Sequence, residues 1–209
     1  MDTVWESARR IIRPLVLEHF DVDSCVATTR ITIDVFRYFG IPAEPVAVQA
    51  VVFNEEAMEL VRAGASALDV REAVFARSAA EPGGPWTLGV GVPQGDGEGG
   101  RHVAVWLPLQ RLVADFSLDQ ASRPHKGLEL SPLLFPVQAD SSTLPEGFTF
   151  PAIIPQRDGG AAYLEYQVAP DWFRDSPNWR RTSTGITGAP AVFKAITGSA
   201  IRAIKEEQA

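Results

Sequence analysis

The sequence predicts an α+β fold in which a buried N-terminal helix, bearing the only cysteine, packs on a central antiparallel sheet. Three observations carry that prediction. Apolar residues lie all round the stretch after Cys25 (Val26, Ile31, Ile33, Val35, Phe36, Phe39), as in a helix covered on most sides. Valine-rich or alternating runs at 45–53, 101–107, 111–116 and 161–168 read as strands. The second and third of these are separated only by a tight turn, which permits antiparallel pairing alone.

Size and composition bound the rest. The 209 residues suffice for one substantial domain, or a domain with an extension. A hydrophobic content of 45% with 22% charge fits a globular protein able to bury a core. The net charge of −7 argues against nucleic acid or an anionic membrane as partner, since both need clustered Lys and Arg. One cysteine cannot close an internal disulfide, and no CxxC pair offers a zinc site. Neither a basic-then-apolar leader nor an apolar run long enough to span a bilayer is visible, so a cytoplasmic location is expected.

Taken in order, Thr3-Val4-Trp5-Glu6 reads as a capping box opening a first helix. Val4, Ala8, Ile11, Ile12 and Leu15 form its apolar face, and Pro14 is expected to kink or end it. Asp23 or Ser24 caps the second helix, with Cys25 in its first turn. Gly40-Ile41-Pro42 is its stop signal. Pro45 to Phe53 follows as a strand whose one internal polar side chain is Gln49. Asn54-Glu55-Glu56 caps further helix, which the pattern carries to about Ala80 with a candidate break near Gly64. Trp86 to Val92 reads as a short strand, and the glycine-rich Gln94 to Gly100 as a loop. That loop is acidic, lacks Lys and leads into no helix, so it is a poor phosphate cradle. In the next hairpin, pairing Leu107 with Gln110 would set His102 opposite Asp115 on one face. Beyond Ser117 the stretches 120–124, 130–136 and 144–155 hold much of the proline and read as loops wrapping a core. Ala161 to Val168 is one more strand, and residues 171–181 mix aromatics with both charge signs as a packed loop or the cover of a groove. Pro190 opens a last helix with Phe193, Ile196, Ala200 and Ile204 on one face.

Three residues in this layout suit nucleophilic catalysis. A thiol at a helix start feels the positive end of the helix dipole, which favours thiolate. A thiolate nucleophile needs a nearby base, and the base needs a third group to hold its tautomer. Cys25, His102 and Asp115 supply these types on neighbouring elements. Backbone N–H groups at the helix start, with Gln49 as a candidate second donor, would face a developing oxyanion. Asp119 is the alternative carboxylate. A metal site built from Cys25, His102, Asp115 and His125 lacks the close-spaced ligand pairs that such sites use, so no metal and no cofactor are expected.

A cysteine at a buried helix start, that helix ending in Gly40-Ile41-Pro42-Ala43, then His102-Val103-Ala104-Val105 and Val113-Ala114-Asp115 on neighbouring strands, resembles the transglutaminase-like branch of the papain-like cysteine protease superfamily. The resemblance spans roughly 24–117. It implies acyl transfer through a thioester, with Cys25 as nucleophile, His102 as base and Asp115 as orienter. The expected organisation is a core over 1–125 that bears this resemblance and a Pro-rich extension over 126–209, with one strand and the C-terminal helix, packed on the same domain. The chain lacks the aromatic next to the cysteine that many members carry, and its Pro-rich half matches nothing in the family. The expected activity is hydrolysis or transfer at an amide, peptide or thioester. The alternative is a catalytically silent member of that fold that binds a protein partner.

Overall fold

The structure is a computed structural model, and it describes residues 3–21, 24–64, 87–90, 100–124, 128–139, 142–156, 159–176, 178–179 and 189–209. It is an α+β protein. Four α-helices, α1 (Val4–Leu17), α2 (Cys25–Tyr38), α3 (Glu55–Arg62) and α4 (Ala189–Gln208), accompany seven strands among the described residues. These are β1 (Glu44–Phe53), β2 (Thr87–Gly89), β3 (Gly100–Leu107), β4 (Leu112–Asp115), β5 (Leu133–Pro136), β6 (Thr149–Pro155) and β7 (Ala161–Val168).

The strands form one antiparallel sheet in the order β5-β4-β3-β1-β7-β6. One edge of β1 is shared: β3 pairs along Glu44–Ala50, and β2 takes the remaining Val51–Phe53. The sheet curls until it is nearly closed. Phe135 of β5 and Phe150 of β6, at its two ends, bring their ring centroids to 6.1 Å, and both rings contact Tyr166 of β7.

Alternation along the strands separates two cores. Val46, Val48, Ala50, Val52, Ala104, Trp106, Val113, Leu164 and Tyr166 fill the inside of the curl. Val105, Leu107 and Ala114 face outward under α1, α2 and α4. The four apolar residues of α4, Phe193, Ile196, Ala200 and Ile204, are all buried there, as the pattern predicts.

Burial of α2 on most sides is also as predicted. Its end is a Schellman motif: Ile41 N–H donates to the Phe36 carbonyl, Gly40 N–H to that of Arg37, and Gly40 takes φ 72°. Other local expectations change. Thr3 is the N-cap of α1 by backbone alone, and Glu6 pairs with Arg9 at 3.2 Å instead of closing a capping box. Pro14 does not end α1, which runs on to Leu17. Asn54 caps α3 as expected, its side chain accepting from the Ala57 N–H. The continuation of that helix to Ala80, the glycine-rich loop and His125 lie outside the described residues, and Trp86 to Val92 is described only as β2 and Val90.

Two of the Pro-rich stretches read as loops contain strands. β6 alternates strictly, with Phe150, Ala152 and Ile154 buried and Thr149, Pro151, Ile153 and Pro155 exposed. It is an edge strand, where a residue without an N–H costs no ladder bond, so proline is tolerated.

The β3–β4 hairpin differs from the expected register. Leu107 pairs with Leu112, not Gln110, and Val105 with Ala114. A four-residue turn, 108–111, replaces the tight one, and Arg111 adopts a left-handed φ of 53° within it. The shift is by two residues. Side chains repeat every two along a strand, so His102 and Asp115 still share a face, now as diagonal neighbours.

Candidate active site

His102 and Asp115 meet inside the curled sheet, 0% and 1% exposed. His102 Nε2 lies 2.8 Å from Asp115 Oδ2. The other ring nitrogen, Nδ1, lies 2.7 Å from Nε2 of Gln120, which belongs to a 3-10 turn, Leu118–Ala121, just after β4. Asp115 accepts further hydrogen bonds: Tyr166 donates its hydroxyl to Oδ2 at 2.7 Å, and Ser117 donates N–H and Oγ–H to Oδ1 at 3.2 and 3.4 Å. Three strands contribute. β3 carries the histidine, β4 the carboxylate, and β7 the tyrosine that donates to it.

These contacts set the electrostatics. Burial disfavours the imidazolium, but the Asp115 charge and hydrogen bond, with help from the adjacent Cys25 side chain, outweigh it and raise His102 from 6.5 to about 10. Burial likewise disfavours the carboxylate, yet His102, the Tyr166 hydroxyl and the Ser117 N–H together hold Asp115 below its ordinary value. Tyr166, buried beside that negative charge, is pushed up well above the normal phenol range.

Cys25 is the first residue of α2 and is 4% exposed. It packs against Ala47 of β1, Val103 of β3 and Phe173. One turn on, Thr29 Oγ1 donates to the Val103 carbonyl at 2.8 Å, which fastens the helix to the strand beside His102. The N-cap is Ser24, but its side chain does not cap the helix. Its Oγ accepts instead from Arg13 of α1 at 2.8 Å. Arg13 is 2% exposed, reaches Thr28 Oγ1 at 3.2 Å, and pairs through Nε with Asp119 at 2.7 Å. One guanidinium therefore ties α1, the start of the cysteine helix and the turn bearing Gln120.

Cys25 shares its buried apolar cluster with an aromatic cover. Phe173, in a short 3-10 helix, Trp172–Asp175, is fully buried in that cluster. Trp179 crosses Phe173 edge-on at 4.6 Å. The Trp179 carbonyl accepts from Arg30 of α2 at 2.9 Å, so the helix that carries Cys25 also holds its cover.

The structure thus brings Cys25, His102 and Asp115 into one cluster. Asp119, the alternative carboxylate, serves Arg13. Gln49 sits on β1 opposite Arg101 and Gln167, half-buried and two residues along from Ala47. His19 is exposed after the end of α1. Among the described residues no three His, Cys, Asp or Glu side chains are grouped to hold a metal ion, and no helix is long and apolar enough to cross a membrane.

Sequence reasoning missed Gln120, Arg13, Tyr166 and Ser117. Tyr166 was findable. Ala162, Leu164, Tyr166 and Val168 alternate on one face of β7, and a tyrosine on a buried face needs a partner for its hydroxyl. Gln120 lies where periodicity fails, and Arg13 looks like one of several arginines on an exposed helix face.

Fold and site together define an α+β protein whose curled antiparallel sheet holds a buried His–Asp pair beside a helix-start cysteine. No protein-family model, curated protein or solved structure matches the chain.

Proposed function

We propose that the protein is a cysteine-dependent acyl-transfer enzyme, a hydrolase or transferase acting on an amide, peptide or thioester, built like the transglutaminase-like branch of the papain-like superfamily. The observation that carries this reading is the buried His102–Asp115 pair, at 2.8 Å, next to the side chain of Cys25. His102 takes the thiol proton at Nδ1 while its Nε2–H stays on Asp115. The Cys25 sulfur bonds to the substrate carbonyl carbon, the carbonyl π pair moves to oxygen, and backbone N–H groups at the start of α2 face that oxyanion. The tetrahedral adduct collapses to a thioester as the bond to the leaving amine or thiol breaks and His102 returns its proton to it. Water or an amine, deprotonated by His102, then takes the acyl group and frees the sulfur.

Incubation with a series of acyl p-nitrophenyl esters, followed by intact mass spectrometry, tests this. One acyl adduct on Cys25 is expected, absent in Cys25→Ala and formed far more slowly in His102→Ala and Asp115→Asn. A wild-type protein that forms no adduct with any ester, or forms one independently of His102, overturns the reading. The fallback is then a silent fold that binds a protein partner, which the cover of Phe173 and Trp179 beside Cys25 favours.

A further inference from the structure

Beside His102, one polar atom is unspent. Gln120 is 6% exposed, its Nε2 is 2.7 Å from His102 Nδ1, and its Oε1 is buried without a hydrogen-bond partner. Its position is not incidental. Its backbone N–H donates to the Ser117 carbonyl at 3.2 Å, and Ser117 itself binds Asp115. Its neighbour Asp119 is held by Arg13, which also holds Ser24 and Thr28 of the cysteine helix. The frame that places Cys25 and Asp115 therefore places Gln120 as well.

Nδ1 is the ring nitrogen that Asp115 leaves free, hence the one the acyl-transfer reaction asks to take the thiol proton. We propose that Gln120 is a positioning residue that occupies His102 Nδ1 while the ring is neutral and yields it to Cys25 during acyl transfer. The inference rests on the acyl-transfer reading and adds a step to it. No covalent bond changes, only hydrogen bonds. With the ring neutral, the Gln120 amide donates to the Nδ1 lone pair while Nε2–H donates to Asp115. With the ring protonated, Nδ1 carries a hydrogen and needs an acceptor, which the same amide supplies by turning over to present Oε1. The orphan oxygen is what makes the neutral-ring contact releasable. An amide with both atoms paired would be fixed, whereas this one loses no second bond by rotating and exchanges its Nε2 contact for one from Oε1 to Nδ1–H of the imidazolium or to the N–H of an amide substrate.

Nitrogen-labelled protein gives a direct test. On the alkaline side of the His102 titration, a scalar coupling across the hydrogen bond between Gln120 Nε2 and His102 Nδ1 is expected in the wild type. A wild-type spectrum in which His102 is neutral and the coupling is absent overturns the proposal. Iodoacetamide labelling of Cys25, the only cysteine, gives a second readout. Gln120→Leu should be labelled at least about tenfold faster than wild type, because the base nitrogen is released to the thiol. The gain should vanish in the Gln120→Leu/His102→Ala double variant. An unchanged or slower rate, or a gain that survives without His102 and so reports only loosened packing, overturns the proposal. Should Gln120→Leu fail to fold, Gln120→Asn, which keeps the amide but withdraws it from the ring, carries the same expectations. An acyl adduct that forms normally on Cys25 while the Gln120 variants label like wild type sinks this inference alone. A missing adduct sinks the acyl-transfer reading instead.

Discussion

A carboxylate as deeply buried as Asp115 must have its charge answered, and four hydrogen bonds answer it, from His102, Tyr166 and Ser117. Asparagine offers one acceptor oxygen and turns an N–H₂ toward groups that themselves donate. Asp115→Asn should therefore lose acyl transfer and also cost about 2 kcal/mol of stability, read as a lower urea midpoint. Tyr166→Phe removes one of the four bonds and nothing else from the core. It should cost about 1 kcal/mol and bring the Asp115 carboxyl part of the way back to its ordinary value, which NMR titration of the carboxyl carbon would register. The pH dependence has a definite sign. His102 is raised from 6.5 to about 10, so its stabilisation is whole below pH 6.5 and drains away as pH rises toward 10. Asp115 is lowered from 3.8, so its share is whole above that value and is lost in stronger acid. The advantage of wild type over His102→Gln in urea midpoint should accordingly be largest near pH 5 to 6 and shrink steadily by pH 10. An advantage that grew with alkalinity would contradict the ion pair.

At the scale of elements, α2 matters most, and its two ends were unequally legible. The stop was plain: Gly40 takes the left-handed conformation that a Schellman end requires. Open space surrounds its missing Cβ, so Gly40→Ala should cost only backbone strain, about 1 kcal/mol in thermal unfolding. The start was legible as a position but not as chemistry, because a capping serine looks the same whether its oxygen serves the helix or a buried arginine from elsewhere. Arg13→Met tests how much that arginine holds. It strands Asp119 and frees both hydroxyls, and a loss of roughly 2–4 kcal/mol is expected, with Cys25 labelling altered by the loosened turn. The hairpin gives the subtler lesson. Strand positions were readable from alternation, yet the turn's sequence did not reveal that it holds four residues. The His–Asp pairing was anticipated on a register two residues off, and only the two-residue period of a strand kept the pair on one face.

Over the whole molecule, reading succeeded for β7 and α4 but failed for β5 and β6, because proline suppressed the strand signal at edges where it does no harm. The half rich in proline supplies β5, β6, β7 and α4 to the same sheet and the same helical core as the first half. A fragment ending at residue 125 would lose the β7 partner of β1 along Val48–Phe53, the hydroxyl of Tyr166 and the Phe173 cover. It should show no cooperative unfolding and no dispersed NMR spectrum. A fragment that folded would show that β1, β3 and β4 need no second half.

The pairing of Val48 with Val168 has a temporal consequence. Contacts so distant along the chain form slowly, because a long loop must close before they repay its entropy. While a ribosome is still adding residues between these two positions, α2 can already be wound with its sulfur open to solvent. The newborn chain passes through an interval in which its one thiol is exposed to oxidants and electrophiles, and that interval closes when β7 docks and Phe173 arrives behind it.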